Sequence, residues 1–122
     1  MSSIPDFTAT EKWAIQSACD ERWGRGKVEL VPADVEIKLD PEREGLTSCP
    51  ALFWHMDGWN FVIAKTGERR YRCQFFHSSD LDQYAPQRHE FDDPAECAVT
   101  LLRAQADAVL TREAGIEGGG GK

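Results

Sequence analysis

The chain has 122 residues, the usual size of one domain and long enough to bury roughly two thirds of its unfolded surface without a disulfide or metal staple. Its 14 basic and 21 acidic residues give a formal charge of −7, which repels phosphate backbones and anionic membranes and argues against both as partners. The opening MSSIPDFTATEKW lacks a basic segment followed by an apolar run, and no stretch approaches the ~18 apolar residues of a spanning helix, so the expectation is a soluble, cytoplasmic protein.

Thr8-Ala-Thr-Glu11 matches a capping box, in which the threonine hydroxyl and the glutamate carboxylate satisfy each other's backbone donors at a helix start. It predicts a helix to about Trp23, with Ile15, Ala18, Cys19 and Trp23 as its apolar stripe and Gly24 and Gly26 as stops. Trp13 lies off that stripe and is expected to lid a neighbouring element. KVELVPADVEIKLD then alternates as a strand, with Val28 and Leu30 before Pro32 and Val35, Ile37 and Leu39 after it. The phase breaks at Pro32, which cannot donate to a ladder and therefore belongs on an edge or in a bulge. Asp40 to Pro50, rich in charge and turn formers, reads as a loop.

Leu52 to Phe76 reads as a three-stranded antiparallel meander with turn signals at Asp57-Gly58 and Thr66-Gly67. A two-residue type I′ loop at the first turn sets Met56 opposite Trp59, Trp54 opposite Phe61 and Leu52 opposite Ile63. At the second turn, pairing Lys65 with Glu68 would bury Arg70 and Arg72, whereas a glycine bulge pairing Ala64 with Glu68 expels both arginines. The hydrophobic pattern selects the bulge. The core face is then Leu52, Trp54, Met56, Trp59, Phe61, Ile63, Tyr71, Cys73 and Phe75. The opposite face carries Phe53, His55, Asn60, Val62, Arg70, Arg72, Gln74 and Phe76, too apolar for a wet face and too polar for a second core. Partial cover by a helix, a loop or a sister subunit accounts for such a mixture, and so does a binding surface.

His77 to Asp92 is polar and irregular. Asp93-Pro94-Ala-Glu96 opens a last helix with a cap, proline at the first helical position and an acid at the positive dipole end. This helix is expected to reach about Glu113, packing Ala98, Val99, Leu102, Ala106 and Val109, with Gly115 as a stop. Residues 1–114 thus read as one domain and residues 115–122 as a disordered glycine-rich tail. The fold class is α+β in the order α-β-β-β-β-α, with a four-stranded antiparallel sheet, or five strands if Pro32 splits the first, and both helices mainly on one face. Within it the α-β-β-β-α order resembles that of double-stranded-RNA-binding domains, but the acidic balance and lack of a basic helix start argue against their function.

Cys19, Cys49, Cys73 and Cys97 form no CxxC pair and are expected to be buried free thiols, as suits a reducing cytosol. Cys73, His77 and His89 are the best metal candidates, but four residues along a strand span about 13 Å, too far for one ion. Asp80-Leu-Asp82 opens no calcium loop, since Ala85 and Phe91 stand where glycine and glutamate are required. A thiol enzyme would need Cys49 beside His55, a weak pairing against the plainer reading of a loop thiol and a sheet-face histidine. No phosphate-binding loop, nucleophile elbow, zinc-protease or dinucleotide motif occurs, and no cofactor is implied.

The reading that follows is a non-enzymatic binding or interaction protein that uses Phe53, His55, Asn60, Val62, Arg70, Arg72 and Phe76 on the mixed face, with itself or another protein as partner. The alternative is a small-molecule-binding protein or enzyme with a pocket between sheet and helix, whose polar groups would be Tyr71, His55, Arg70 and Arg72.

Overall fold

The computed structural model of the chain describes residues 4–42, 44–79 and 90–118, with side chains described as far as Arg112. Its elements are α1 (Ala9–Trp23), β1 (Val31–Ile37), β2 (Thr47–Met56), β3 (Trp59–Gly67), β4 (Arg70–His77) and α2 (Pro94–Gly118). The strands form one antiparallel sheet in the order β1-β2-β3-β4. This is the α-β-β-β-β-α order expected from the sequence, with four strands.

Local chemistry sets the ends of α1. Thr8 is the N-cap, its hydroxyl accepting from the Glu11 N–H at 3.1 Å while the Glu11 carboxylate accepts from the Thr8 N–H at 2.6 Å. Ile15, Ala18 and Cys19 are buried and Trp23 packs against the core, as its stripe predicts. Trp13 is instead 70 % exposed. At α2, Asp93 caps the Glu96 N–H at 2.9 Å. The face that α2 buries is rotated from the expected one: Cys97, Ala98, Leu101, Leu102 and Gln105 are inside, and Val99 is exposed. The rotation lets Arg22 of α1 donate to the Leu102 carbonyl at 2.9 Å and to Gln105 Oε1 at 2.6 Å, tying the helices together across a polar seam. The helix also runs past Gly115 to Gly118, beyond the expected stop.

β1 begins later than the alternation implies. Val28 and Leu30 lie in or against the main core ahead of the strand, while Val35 and Ile37 pack on the other side of the sheet. The phase therefore changes before Pro32, which sits unsplit within an edge strand opposite Leu52. A missing N–H is tolerated there because only one side of the strand is paired.

The first turn follows its sequence signal. Met56 faces Trp59, Trp54 faces Phe61 and Leu52 faces Ile63, and Asp57 and Gly58 both take positive φ, at 54° and 83°. The second turn lies two residues beyond the expected one. Gly67 ends β3 opposite Arg70, Glu68 and Arg69 make the loop, and Arg69 rather than glycine carries the positive φ of 60°. Ala64 consequently pairs with Arg72, not Glu68. A register shift between Lys65 and Gly67 preserves the side-chain parity, so Tyr71, Cys73 and Phe75 still share the Trp59 face and both arginines still leave it.

That face and the helices form the core. Trp54 stacks on Phe61 with centroids 5.1 Å apart, Trp23 of α1 meets Phe61 edge-on at 5.4 Å, and Trp59 tilts against Phe75 at 5.8 Å. After β4 the chain returns at Phe91, whose N–H and carbonyl exchange hydrogen bonds with Tyr71 at 2.9 and 2.8 Å. This single bridge blunts the β4 edge and drops the Phe91 ring into the core.

Candidate functional site

The strand period of two places Phe53, His55, Asn60, Val62, Arg70, Arg72 and Phe76 together on the sheet face opposite the main core. Phe53 stands across from Val62, His55 across from Asn60, and Asn60 across from Phe76. Neither helix belongs to the small apolar cluster on this side, which consists of Ala51, Val62 and Ala64 with Val35, Ile37 and Phe53 packed against them.

The face has three zones. At the Asp57-Gly58 end, the His55 Nδ1–H donates to Asn60 Oδ1 at 2.9 Å, and Asn60 Nδ2 donates to the Ser78 hydroxyl at 2.9 Å. These polar groups hold one another. The middle is apolar from edge to centre, from half-exposed Val31 through partly buried Val35 and Phe53 to Val62, which is buried with Ala51 and Ala64. At the opposite end lie Arg70 and Arg72. Glu90 bridges to this corner, accepting from the Thr66 hydroxyl at 3.3 Å and standing 3.8 Å from Arg72 Nε. That second distance exceeds hydrogen-bond reach, and Arg72 Nε is buried without a hydrogen-bond acceptor. Arg70 is exposed.

Sequence reasoning missed the contribution of β1. Val31, Ala33, Val35 and Ile37 extend the apolar middle across the sheet, because each pairs with a β2 residue of this face. Their alternation with Pro32, Asp34 and Glu36 was the available signal, obscured by the early phase of Val28 and Leu30.

A second polar constellation lies on the helix side, also unanticipated. Lys65, 2 % exposed, donates to the Glu11 carboxylate at 2.9 Å and to the Asp6 carbonyl at 3.1 Å, and the Tyr71 hydroxyl donates to the other Glu11 oxygen. Burial raises the Glu11 carboxyl, but hydrogen bonds from Tyr71, the Thr8 backbone and Lys65 outweigh it and hold the group below its ordinary value. Burial and the adjacent Glu11 carboxylate push the Tyr71 hydroxyl up. The parity of β3, which puts Lys65 in line with Phe61 and Ile63, was the legible clue.

Other expected pairings are separated by the fold. Tyr71 faces α1, whereas His55, Arg70 and Arg72 face away from it, so these four line no common pocket. Cys49 and His55 share a strand and a face, but six residues of strand put about 20 Å between them. All four cysteines are free and buried. Cys19 is pushed up to about 12, chiefly by burial and then by the neighbouring Asp20. Among the described residues no group of three or more His, Cys, Asp and Glu is arranged to hold a metal ion; His89 and Asp80-Leu-Asp82 lie outside them. No described helix is long and apolar enough to cross a membrane. A groove of about 430 Å³ runs beside the exposed Trp13, floored by Leu30, Pro32 and Leu52.

Comparison with known proteins finds no match to the chain among family models, curated proteins or solved structures.

Proposed function

We propose that the chain is a non-enzymatic binding protein that engages another polypeptide through the helix-free face of its sheet, around Phe53, Val62, Arg70, Arg72 and Phe76. One observation carries this reading. Both helices bury the aromatic face of the meander, while the opposite face keeps a continuous apolar middle flanked by arginines. Half-exposed aromatic and aliphatic side chains beside arginine are the usual anchors of a protein interface. His55 and Asn60 serve it as a fixed polar rim, because they already satisfy each other.

The reactive groups support binding over catalysis. The four thiols are buried, Lys65 is neutralised by Glu11, and the Tyr71 hydroxyl is committed to the same carboxylate. Four buried free thiols in a chain of this size fit a reducing compartment such as the cytosol.

A photocrosslinking residue at Gln74, which stands opposite Val62 in the middle of the face, tests the reading. In cells making the full chain, irradiation is expected to join Gln74 covalently to a second polypeptide. The same group at Glu21, exposed on α1, is expected to give no such adduct. Absence of an adduct from Gln74 overturns the proposal.

A further inference from the structure

Resting on that reading, we infer that the polypeptide seated on the helix-free face is a second copy of this chain, the two sheets packing face to face about a two-fold axis that runs along the strands. Charge placement is the first argument. β1 and its flanks, residues 29–46, carry six carboxylates against Lys38 and Arg43; Asp34 and Glu36 alternate onto the helix side of the sheet, while Asp40, Glu42 and Glu44 lie beyond the strand's end. The opposite edge of the sheet, at the β3–β4 turn, carries Arg69, Arg70 and Arg72 against Glu68 and Glu90, the latter 3.8 Å from Arg72. Asp40, Glu42 and Glu44 follow the end of β1, and Arg70 opens β4, so acid and base occupy opposite corners of the same end of the sheet.

Only some two-fold operations use this arrangement. An axis along the strands lays β1 of one copy over β4 of the other and keeps the same ends together, which sets Asp40, Glu42 and Glu44 against the partner's arginine corner twice per dimer. An axis across the strands would lay β1 over β1 with its ends exchanged, which leaves the arginine corner away from Asp40, Glu42 and Glu44 and forgoes their pairing. Strand-along packing is also the aligned geometry that twisted sheets adopt face to face.

Area is the second argument. Four strands spaced about 4.8 Å, each about 23 Å long over seven residues, give two copies a flat footprint of at most about 900 Å², of which the part over Cys49, Ala51, Val62 and Ala64 is already buried within each copy. That sits just below the roughly 1,000 Å² expected of a specific interface, and the loop between β1 and β2 adds to it. An apolar middle of this size needs the charged corners, so the dimer is expected to weaken with salt.

Light scattering across protein concentration and salt tests the inference on the full chain. The wild type is expected to dimerise at low salt, with its dissociation constant rising at least about tenfold as salt screens the corners. Phe53→Asp is expected to be monomeric while keeping its unfolding transition. Arg70→Glu, at an exposed position, should weaken the dimer at least about tenfold, and Arg70→Glu combined with Glu42→Arg and Glu44→Arg should restore it. A wild type that stays monomeric at all concentrations, or a dimer that survives Phe53→Asp, overturns the inference. A dimer indifferent to Arg70→Glu overturns the axis. Mass spectrometry of the Gln74 adduct separates the two levels: a self-adduct supports the dimer, an adduct with a different protein overturns the dimer but keeps the binding reading, and no adduct removes both.

Discussion

Glu11 closes the capping box of α1 and, with the same carboxylate, takes donors from Lys65 and Tyr71. Removing its charge leaves Lys65 buried beside a neutral amide, so Glu11→Gln is expected to cost about 2 to 3 kcal/mol in urea unfolding at neutral pH, more than the ~1 kcal/mol of Thr8→Ala. The pH dependence has two limbs. Below the ordinary Glu value of 4.5 the unfolded chain takes up the proton more readily than folded Glu11, so stability falls as the pH drops through the lowered folded value. Above the ordinary Tyr value of 10.0 the unfolded chain loses a proton that folded Tyr71 keeps, so stability falls again as the pH rises. Unfolding free energies measured across pH are expected to show both limbs in the wild type, with the acid limb flattened in Glu11→Gln and the alkaline limb flattened in Tyr71→Phe. The capping box itself was readable as four residues of sequence. Its second role was not, because the partners that give Glu11 this role come from strands whose register had first to be known.

The two turns of the meander show what local sequence determines. Asp57-Gly58 meets the φ > 0 requirement of a type I′ loop at both positions, and its register follows from the pair alone. Thr66-Gly67 carries glycine too, yet the loop forms at Glu68-Arg69, where no residue favours the left-handed region. Tertiary pairing moves it: with the turn two residues further on, Lys65 stands across from Tyr71 and both reach Glu11. Arg69 bears the strain of this displacement. Arg69→Gly is expected to raise stability by about 0.5 to 1 kcal/mol, read as a shift of the urea midpoint with an unchanged m-value. Face parity was predictable because hydrophobicity constrains it, whereas loop position was not, because a bulge can restore parity from more than one place. The rotated face of α2 has a similar cause. Alanines are as numerous as the larger aliphatic residues along it, so the pattern defines a broad side, and Arg22 and Gln105 select the contact within it.

At the scale of the whole molecule the architecture is one-sided, with two helices over one face of a four-stranded sheet and an apolar, arginine-flanked face left on the other. Strand parity in the meander was enough to place Phe53, Val62, Arg70, Arg72 and Phe76 on that second face. It was not enough to show that β1 widens the patch, since Pro32 sits where the strand's phase had to be assigned. The sharing of Glu11 between cap and core has a further consequence for how the chain reaches this state. Glu11 meets Lys65 and Tyr71 over sequence separations of 54 and 60 residues, so the helix start gains its tertiary support only after the distant hairpin has closed. Nucleation of α1 is thereby coupled to a long-range step, and folding is expected to be limited by closure of the β3–β4 hairpin onto the chain's beginning rather than by the helix itself.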